Sequence, residues 1–264
     1  MELSTSGTFV AKQPITRDVC INPASITQID SAVLFATERG IMLLSGSQAQ
    51  CISDIINGPA SFDIRNLTGM TTLHTMLGHS DSTCLPVVPF LTFLSDCRMI
   101  YDYVHQRIIV FSPQYGYAYV YSFKSQMWGL VHSTFASGVN SYPEALAMDN
   151  AGHLVDLGQS NVSTVAALCV TRPIKLDSSD IHKTVSSVIQ RGMFRKGSVK
   201  VVLYGARDLY SWHMIYSSTD HYLRGFSGTP YKYFRVALLC NLSVDECVDG
   251  CSFRFTPRLT DQPR

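Results

Sequence analysis

Residues 99–131 read MIYDYVHQRIIVFSPQYGYAYVYSFKSQMWGLV, and this stretch decides the fold class of the 264-residue chain. Four runs rich in β-branched and aromatic residues alternate here with short turn segments, which is the pattern of an antiparallel meander. Four short strands on tight connections form one blade of a β-propeller or one sheet of a β-sandwich. The pattern predicts strands at 99–101, 107–111, 117–121 and 127–131.

The sequence on either side continues this pattern. Residues 26–34 and 41–44 have the composition of two strands around a Gly-containing turn. Further along, residues 145–148 and 153–157 flank an Asp/Asn-rich turn closed by Gly, which is a strong hairpin signal. We therefore predict whole or partial blades at 24–53, 99–131 and 145–167, with a short amphipathic helix at 90–97 before the second.

The length and spacing of the predicted strands change near residue 170. Thr171-Arg172-Pro173 marks a boundary, and the strand patterns beyond it are longer and less evenly spaced. A single antiparallel β-sandwich is the economical interpretation of residues 170–264, which leaves residues 1–169 to the propeller-like blades. The predicted fold is therefore all-β, with partial β-propeller-like antiparallel blades followed by a C-terminal β-sandwich. The later strands are predicted at 165–170, 184–194, 199–204, 212–217, 231–242 and 251–255.

The number of predicted blades is too small for a closed propeller. Closure takes about 4–8 blades, and residues 1–169 supply two to three. We expect either that another chain completes the set or that this chain is the C-terminal part of a longer protein.

Charge is distributed unevenly along the chain. Residues 1–169 contain 7 Lys/Arg and 12 Asp/Glu, a net charge of −5, whereas residues 170–264 contain 14 and 8, a net charge of +6. Such asymmetry marks either a face for nucleic acid or an acidic partner, or two differently solvated domains. No apolar run approaches the roughly 20 residues that span a bilayer, and the N-terminal residues lack the pattern of a signal peptide.

Catalytic and metal-binding motifs are not apparent in the sequence. The string 78–82, GHSDS, ends in Ser where a nucleophile elbow needs Gly. His74, His79 and Asp81 could hold a metal but are expected to be solvated loop residues. Cys240, Cys247 and Cys251 lack paired C-x-x-C spacing, and the eight cysteines are expected to be free thiols. We predict a protein that is not an enzyme, with no metal and no cofactor.

Four residues in the predicted strands and turns are candidates for structural roles. Asp102 and Arg107 flank one hairpin turn, where a carboxylate and a cation form a cross-strand pair. Trp128 is expected to pack between neighbouring sheets, although an exposed Trp could form a ligand platform. Trp212 is expected in the core, with an aromatic shelf for sugar as its alternative.

The segment 222–233, YLRGFSGTPYKY, is the candidate interface. A Gly-rich loop that presents tyrosine, phenylalanine and arginine has the composition of a protein–protein contact. An ordinary structured loop, or a site that stacks bases or sugars, would have a similar composition. The candidate interface residues are Tyr222, Arg224, Phe226, Tyr231, Lys232 and Tyr233.

Several strings in this chain resemble a known family. They are 100–102, 107–111 and 119–122 with Trp128 in the N-terminal part, and 201–205, 228–235 and 256–259 in the C-terminal part. The N-terminal strings are similar to propeller blades in tail proteins of short-tailed bacteriophages, above all the nozzle or muzzle proteins of crAss-like gut phages, and the C-terminal strings are similar to the end of the same proteins. Family members are much longer than 264 residues.

The resemblance implies a non-enzymatic structural component of the virion, assembled into a ring at the distal end of the tail. Its expected partners are further copies of the chain or other tail proteins, with DNA passing through the channel and no membrane insertion. The expected locations are the virion and, during assembly, the host cytoplasm. Opposite charges on the two halves would favour head-to-side contacts that close a ring.

Two other functions remain open from the residues. One is a propeller-sandwich module that binds a cell-surface glycan or protein through aromatic residues such as Trp212 and Tyr222. The other is a propeller glycosidase, which needs two carboxylates about 5–10 Å apart in a cleft. Asp102, Glu144, Asp149 and Asp156 do not make a convincing set for that reaction.

Overall fold

The computed structural model describes residues 2–3, 9–10, 14–58, 88–159, 164–178, 180–224 and 228–258. The described chain is all-β, with several antiparallel sheets, none of which closes on itself. Its residues up to Gln159 form one compact unit, and those from Thr164 onward form a second. Near the N-terminus, β1 (Glu2–Leu3) and β2 (Phe9–Val10) pair as a two-stranded ribbon.

The first unit contains three meanders in chain order, which we name sheets A, B and C. Each strand pairs antiparallel with its sequence neighbour, as tight turns between short strands require. Sheet A has β3 (Thr27–Ile29), β4 (Ala32–Thr37), β5 (Gly40–Ser45) and β6 (Gln48–Cys51). Sheet B has β7 (Arg98–Asp102), β8 (Arg107–Phe111), β9 (Tyr117–Ser122) and β10 (Met127–His132). Sheet C has β11 (Phe135–Ser141), β12 (Glu144–Asp149) and β13 (Leu154–Asp156).

Strands β7, β8 and β9 of sheet B are buried on both faces, which explains why they are apolar runs and do not alternate with polar residues. Alternate side chains of each strand point to opposite faces. Met99 and Tyr101 belong to the core shared with sheet A, and Ile100 lies in a second core shared with Ala145 and Ala147 of sheet C. The helix α1 (Phe90–Phe93) and the following 3-10 turn (Leu94–Asp96) add apolar side chains to the first core.

The first strands of the three sheets are joined by a buried polar tie. The Thr27 hydroxyl of β3 donates to the Met99 carbonyl of β7 at 2.9 Å. The Asn140 side chain of β11 donates to the Thr27 hydroxyl at 2.8 Å and accepts from the Tyr101 amide at 2.9 Å. Gly138 permits this approach, because a Cβ there would lie 2.0 Å from the Ile100 Cδ1. The sheets are therefore positioned by specific hydrogen bonds as well as by apolar packing.

The second unit consists of two sheets that pack through a common apolar core. Val185 and Val188 from one sheet meet Leu203, Phe234 and other residues of the second sheet in that core. Sheet D has the order β14 (Thr164–Val170), β19 (Tyr233–Ser243), β16 (Val199–Ala206), β17 (His213–Ser218). Sheet E has the order β18 (Tyr222–Arg224), β15 (His182–Met193), β20 (Cys247–Arg258).

The four strands predicted at 99–131 and the short helix predicted at 90–97 are confirmed. Two details differ from the sequence prediction. The predicted strand 26–34 is two strands, because Asp30 turns the chain with a φ of +41°. The strand 164–170 pairs along its whole length with β19. This strand therefore lies in the second unit. The pairing does not match the predicted third blade at 145–167, and it does not match the predicted domain boundary between residues 169 and 170.

Among the described residues, no helix is long and apolar enough to cross a membrane.

Candidate interaction surfaces

The predicted pair of Asp102 and Arg107 is confirmed as a cross-strand ion pair. The Arg107 Nε donates to the Asp102 carboxylate at 2.8 Å, and the two residues lie opposite each other on β7 and β8. The Asp102 side chain is fully buried and also accepts from the backbone amides of Val104 and His105. Arg107 donates in addition to the Leu157 carbonyl at 3.1 Å, beyond the end of β13. This cluster holds a turn and links sheet B to the chain that follows sheet C.

Trp128 packs between sheets A and B, as predicted. Its ring lies 5.0 Å from Tyr121 and 5.8 Å from Phe90, measured between ring centroids. Its indole Nε1 donates to the Ile52 carbonyl at 3.1 Å, just after β6. The indole side chain is thus engaged in the contact between sheets A and B and is not available as a ligand platform.

Trp212 is also a core residue, which excludes the aromatic shelf that the sequence allowed. It is 2% exposed, and its indole Nε1 donates to the Leu209 carbonyl at 3.0 Å. The Arg235 guanidinium lies 4.6 Å from the ring centroid. Burial lowers the pKa of Arg235 from its ordinary value. A sugar ring therefore has no open face of Trp212 to stack on.

The predicted interface segment divides into two parts with different surroundings. Tyr222 and Arg224 are exposed on β18. Tyr231 and Tyr233 are partly buried and pack against different apolar clusters, and the Lys232 amide donates to the Ala206 carbonyl. Phe226 lies outside the described residues. Of the predicted interface residues that the structure describes, only Tyr222 and Arg224 are exposed together on one face.

Tyr222 and Arg224 belong to a basic surface on the outer side of sheet E, which we name the arginine face. The strand register places Arg224, Ser187 and Arg254 side by side on three neighbouring strands. Tyr222, Ile189 and Ser252 form the next row. Next to Tyr222 lies a shallow depression of about 620 Å³, which is lined by Ser186, Ser187, Ile189, Arg191, Arg224, Ser252, Phe253 and Arg254.

The three arginines of this face are exposed. Of the carboxylates that the structure describes, none forms an ion pair with them and none lines the depression. The Arg191 Nε donates to the Ser252 hydroxyl at 2.8 Å, which directs this side chain along the sheet surface. The Arg224 guanidinium lies 5.2 Å from the centroid of the Tyr222 ring. The face therefore carries three positive charges that no described acidic group neutralises.

A second exposed surface lies on the outer side of sheet C, which we name the open face. Its exposed apolar residues are Val139 on β11, Met148 on β12 and Leu154 on β13, with exposed fractions of 62%, 40% and 68%. Met148 pairs with Leu154, and the partner of Val139 is Leu146. One side of sheet C packs on sheet B, and the other presents apolar side chains to solvent.

The other candidate sites of the sequence do not converge on a centre. The described residues contain no group of three or more His, Cys, Asp or Glu side chains that could hold a metal. Cys240 is buried, whereas Cys247 and Cys251 are exposed, and the described cysteines are free. Burial raises the pKa of the Cys240 thiol to about 11. His74, His79, Asp81 and Cys84 lie outside the residues that the structure describes.

Sequence reasoning identified Arg224 and missed its neighbours Arg191 and Arg254 as members of one surface. The signal that could have found them is the two-residue spacing Ser187-x-Ile189-x-Arg191 and Ser252-x-Arg254, which places these side chains on one side of each strand.

A scan against protein-family models finds no family that matches this chain, and a search of curated proteins finds no matching relative.

Proposed function

We propose that this chain is a non-enzymatic structural subunit of a phage tail ring of the nozzle or muzzle type. In this proposal sheets A, B and C are an incomplete series of propeller-like blades, and sheets D and E are a β-sandwich. The proposal combines the resemblance of the strings at 100–122 and 201–259 with the way the sheets are arranged.

The observation that carries the proposal is the open face of sheet C. Sheets A, B and C pack in series, with one apolar core between A and B and a second between B and C. In a series of this kind the last sheet needs another sheet against its outer side, because an exposed apolar face is a site for association. Val139, Met148 and Leu154 lie on that side. A neighbouring copy or another tail protein would supply the missing contact.

A ring requires that two different surfaces of the subunit meet, because a contact between identical surfaces closes a dimer. The open face provides one such surface. The opposite net charges of the two halves, −5 and +6, favour contacts between unlike parts of neighbouring copies. In this proposal the protein acts in the virion and is assembled in the host cytoplasm.

Glycan binding through Trp212 and Tyr222 is disfavoured, because Trp212 is buried. The Asp102 carboxylate is likewise engaged by Arg107 and by two backbone amides, which disfavours it as a member of a glycosidase pair.

The test is the assembly state of the purified chain, measured by mass photometry and negative-stain electron microscopy at rising protein concentration and low salt. We expect closed rings of uniform size. A protein that stays monomeric under these conditions contradicts the proposal, and so does one that forms only closed dimers. Binding to a glycan array by the monomer would favour the alternative.

A further inference from the structure

The composition of the arginine face favours binding of an anionic ligand. Three arginines lie on one face of a three-stranded sheet, and the described acidic side chains do not neutralise them. Like charges on one face repel one another, and an anion that binds along them offsets this repulsion. Arginine is suited to this task because its planar fork donates two parallel hydrogen bonds to a phosphate or carboxylate.

The spacing of the arginines indicates an extended ligand and not a single small anion. Arg224 and Arg254 lie on the two strands that flank β15, and neighbouring strands are about 4.8 Å apart, so their Cα atoms are separated by roughly 10 Å. Arg191 lies four residues beyond Ser187 on β15, a distance of roughly 13 Å along the strand. A ligand that meets all three therefore carries several anionic groups along its length.

The rest of the face favours a phosphate backbone over an acidic protein surface. A protein–protein interface has an apolar centre with aromatic anchors. Here the depression is lined at its centre by Ser187, Ser252 and the half-buried Ile189, and its aromatic residue Phe253 packs against the core between sheets D and E. Serine hydroxyls and arginines are the side chains that commonly bind phosphate oxygens of nucleic acids.

The aromatic residue on this face favours a duplex over a single strand. Proteins that bind single strands offer open aromatic rings on which bases stack. The Tyr222 ring has the Arg224 guanidinium 5.2 Å from its centroid and the edge-on ring of His221 at 5.1 Å. The Tyr222 ring is therefore not open for a base to stack on. The phosphates of a duplex can contact the guanidinium groups, and this contact requires no base stacking.

We propose that the arginine face binds the phosphate backbone of double-stranded nucleic acid, without reading its sequence, through Arg191, Arg224 and Arg254. Ser187 and Ser252 are placed to donate to phosphate oxygens between them. The inference rests on this face alone, and it stands whether or not the chain forms a tail ring.

The experiment measures binding of a short random-sequence DNA duplex by fluorescence anisotropy over a series of salt concentrations. Neutralising three phosphates gives a slope of log K against log salt of about −2.7. Each single change, Arg191→Gln, Arg224→Gln or Arg254→Gln, should weaken binding and make the slope less steep by about 1. The triple variant should lose measurable binding.

Matched variants separate the face from total charge and from folding. Arg172→Gln removes the same charge from an exposed position outside the face, so its slope should equal that of the wild type. Arg224→Lys keeps the positive charge but removes the guanidinium group that donates two parallel hydrogen bonds. This variant should bind DNA more weakly, with an unchanged slope of log K against log salt. Circular dichroism of every variant should match the wild type, because the three side chains are exposed.

The proposal is overturned if the duplex does not bind at low salt. It is also overturned if the triple variant binds with the wild-type slope, or if polyglutamate competes as well as DNA, which would assign the face to acidic proteins. Stronger binding to single-stranded DNA of equal length would contradict the choice of a duplex.

Discussion

The two units join their sheets by different means. In the first unit, sheets A, B and C meet through apolar cores and through side-chain hydrogen bonds of Thr27 and Asn140 that cross from sheet to sheet. In the second unit, the core between sheets D and E is formed by aliphatic and aromatic side chains such as Val188, Leu203 and Phe234. Apolar packing is non-directional and does not by itself fix how one sheet lies on the next. The polar tie therefore specifies the stacking where apolar packing alone leaves it open.

Trp128 and Trp212 allow the comparison to be tested, because each unit contains one tryptophan. Trp128→Phe leaves Trp212 as the fluorescent reporter of the second unit, and Trp212→Phe leaves Trp128 as the reporter of the first. Urea unfolding followed in these two backgrounds measures the free energy of unfolding reported by each unit.

The largest effect is expected from a cavity in the second unit. Phe234→Ala removes a fully buried ring from the core between sheets D and E and should lower the free energy of unfolding by about 4 kcal/mol. The Trp212 reporter should show this loss. A decrease below about 1 kcal/mol would contradict an apolar core that depends on close packing.

The next effect is expected from Asp102. Asp102→Ala removes a buried carboxylate that accepts from Arg107 and from two backbone amides, and the loss of these charge-assisted hydrogen bonds should cost about 3 kcal/mol. The Trp128 reporter follows this change. Glu144→Ala, which removes an exposed carboxylate from the same unit, is the control and should change the free energy of unfolding by less than about 0.5 kcal/mol.

The polar tie itself is tested by Asn140→Ala. The change leaves the Tyr101 amide and the Thr27 hydroxyl without their Asn140 partner and should destabilise the first unit by about 2 kcal/mol. Ser137→Ala, on the same strand and facing away from sheet B, is the matched control. If both variants unfold at the same urea concentration, the tie does not position the sheets.

The smallest effect is a pH dependence in the second unit. Hydrogen bonds from the Arg195 side chain, and from the Ser243 and Arg195 amides, lower the pKa of Glu246 to about 2. Since this folded-state pKa lies below the usual value of about 4.3, the stabilisation is complete above that value and is lost as pH falls toward 2. Glu246→Gln should unfold more easily than the wild type at pH 6, and the difference should shrink in acid. A difference that is constant with pH would contradict this assignment.

The strands of sheet B could be predicted from sequence because local signals agree there. Each run of β-forming residues ends at turn residues, and each strand pairs with its neighbour in the chain. The pairing of β14 with β19 could not be predicted, since the two strands are separated by more than 60 residues and nothing local in Thr164–Val170 indicates its partner.

The arginine face could not be predicted from the sequence for a related reason. Its three arginines lie on three strands that are distant from one another in the sequence, so no local pattern shows that these strands are neighbours in one sheet. Composition alone likewise did not distinguish Trp212 in a core from Trp212 on a surface.

In the proposed ring, the open face of sheet C is an assembly surface. Sedimentation velocity over a range of concentrations tests it most directly, with Leu154→Lys placing a charge on that face and Val244→Lys doing the same at an exposed turn residue of the second unit. We expect the wild type and Val244→Lys to assemble and Leu154→Lys to remain monomeric with an unchanged circular dichroism spectrum. Equal assembly of all three proteins, or of none, would contradict the claim.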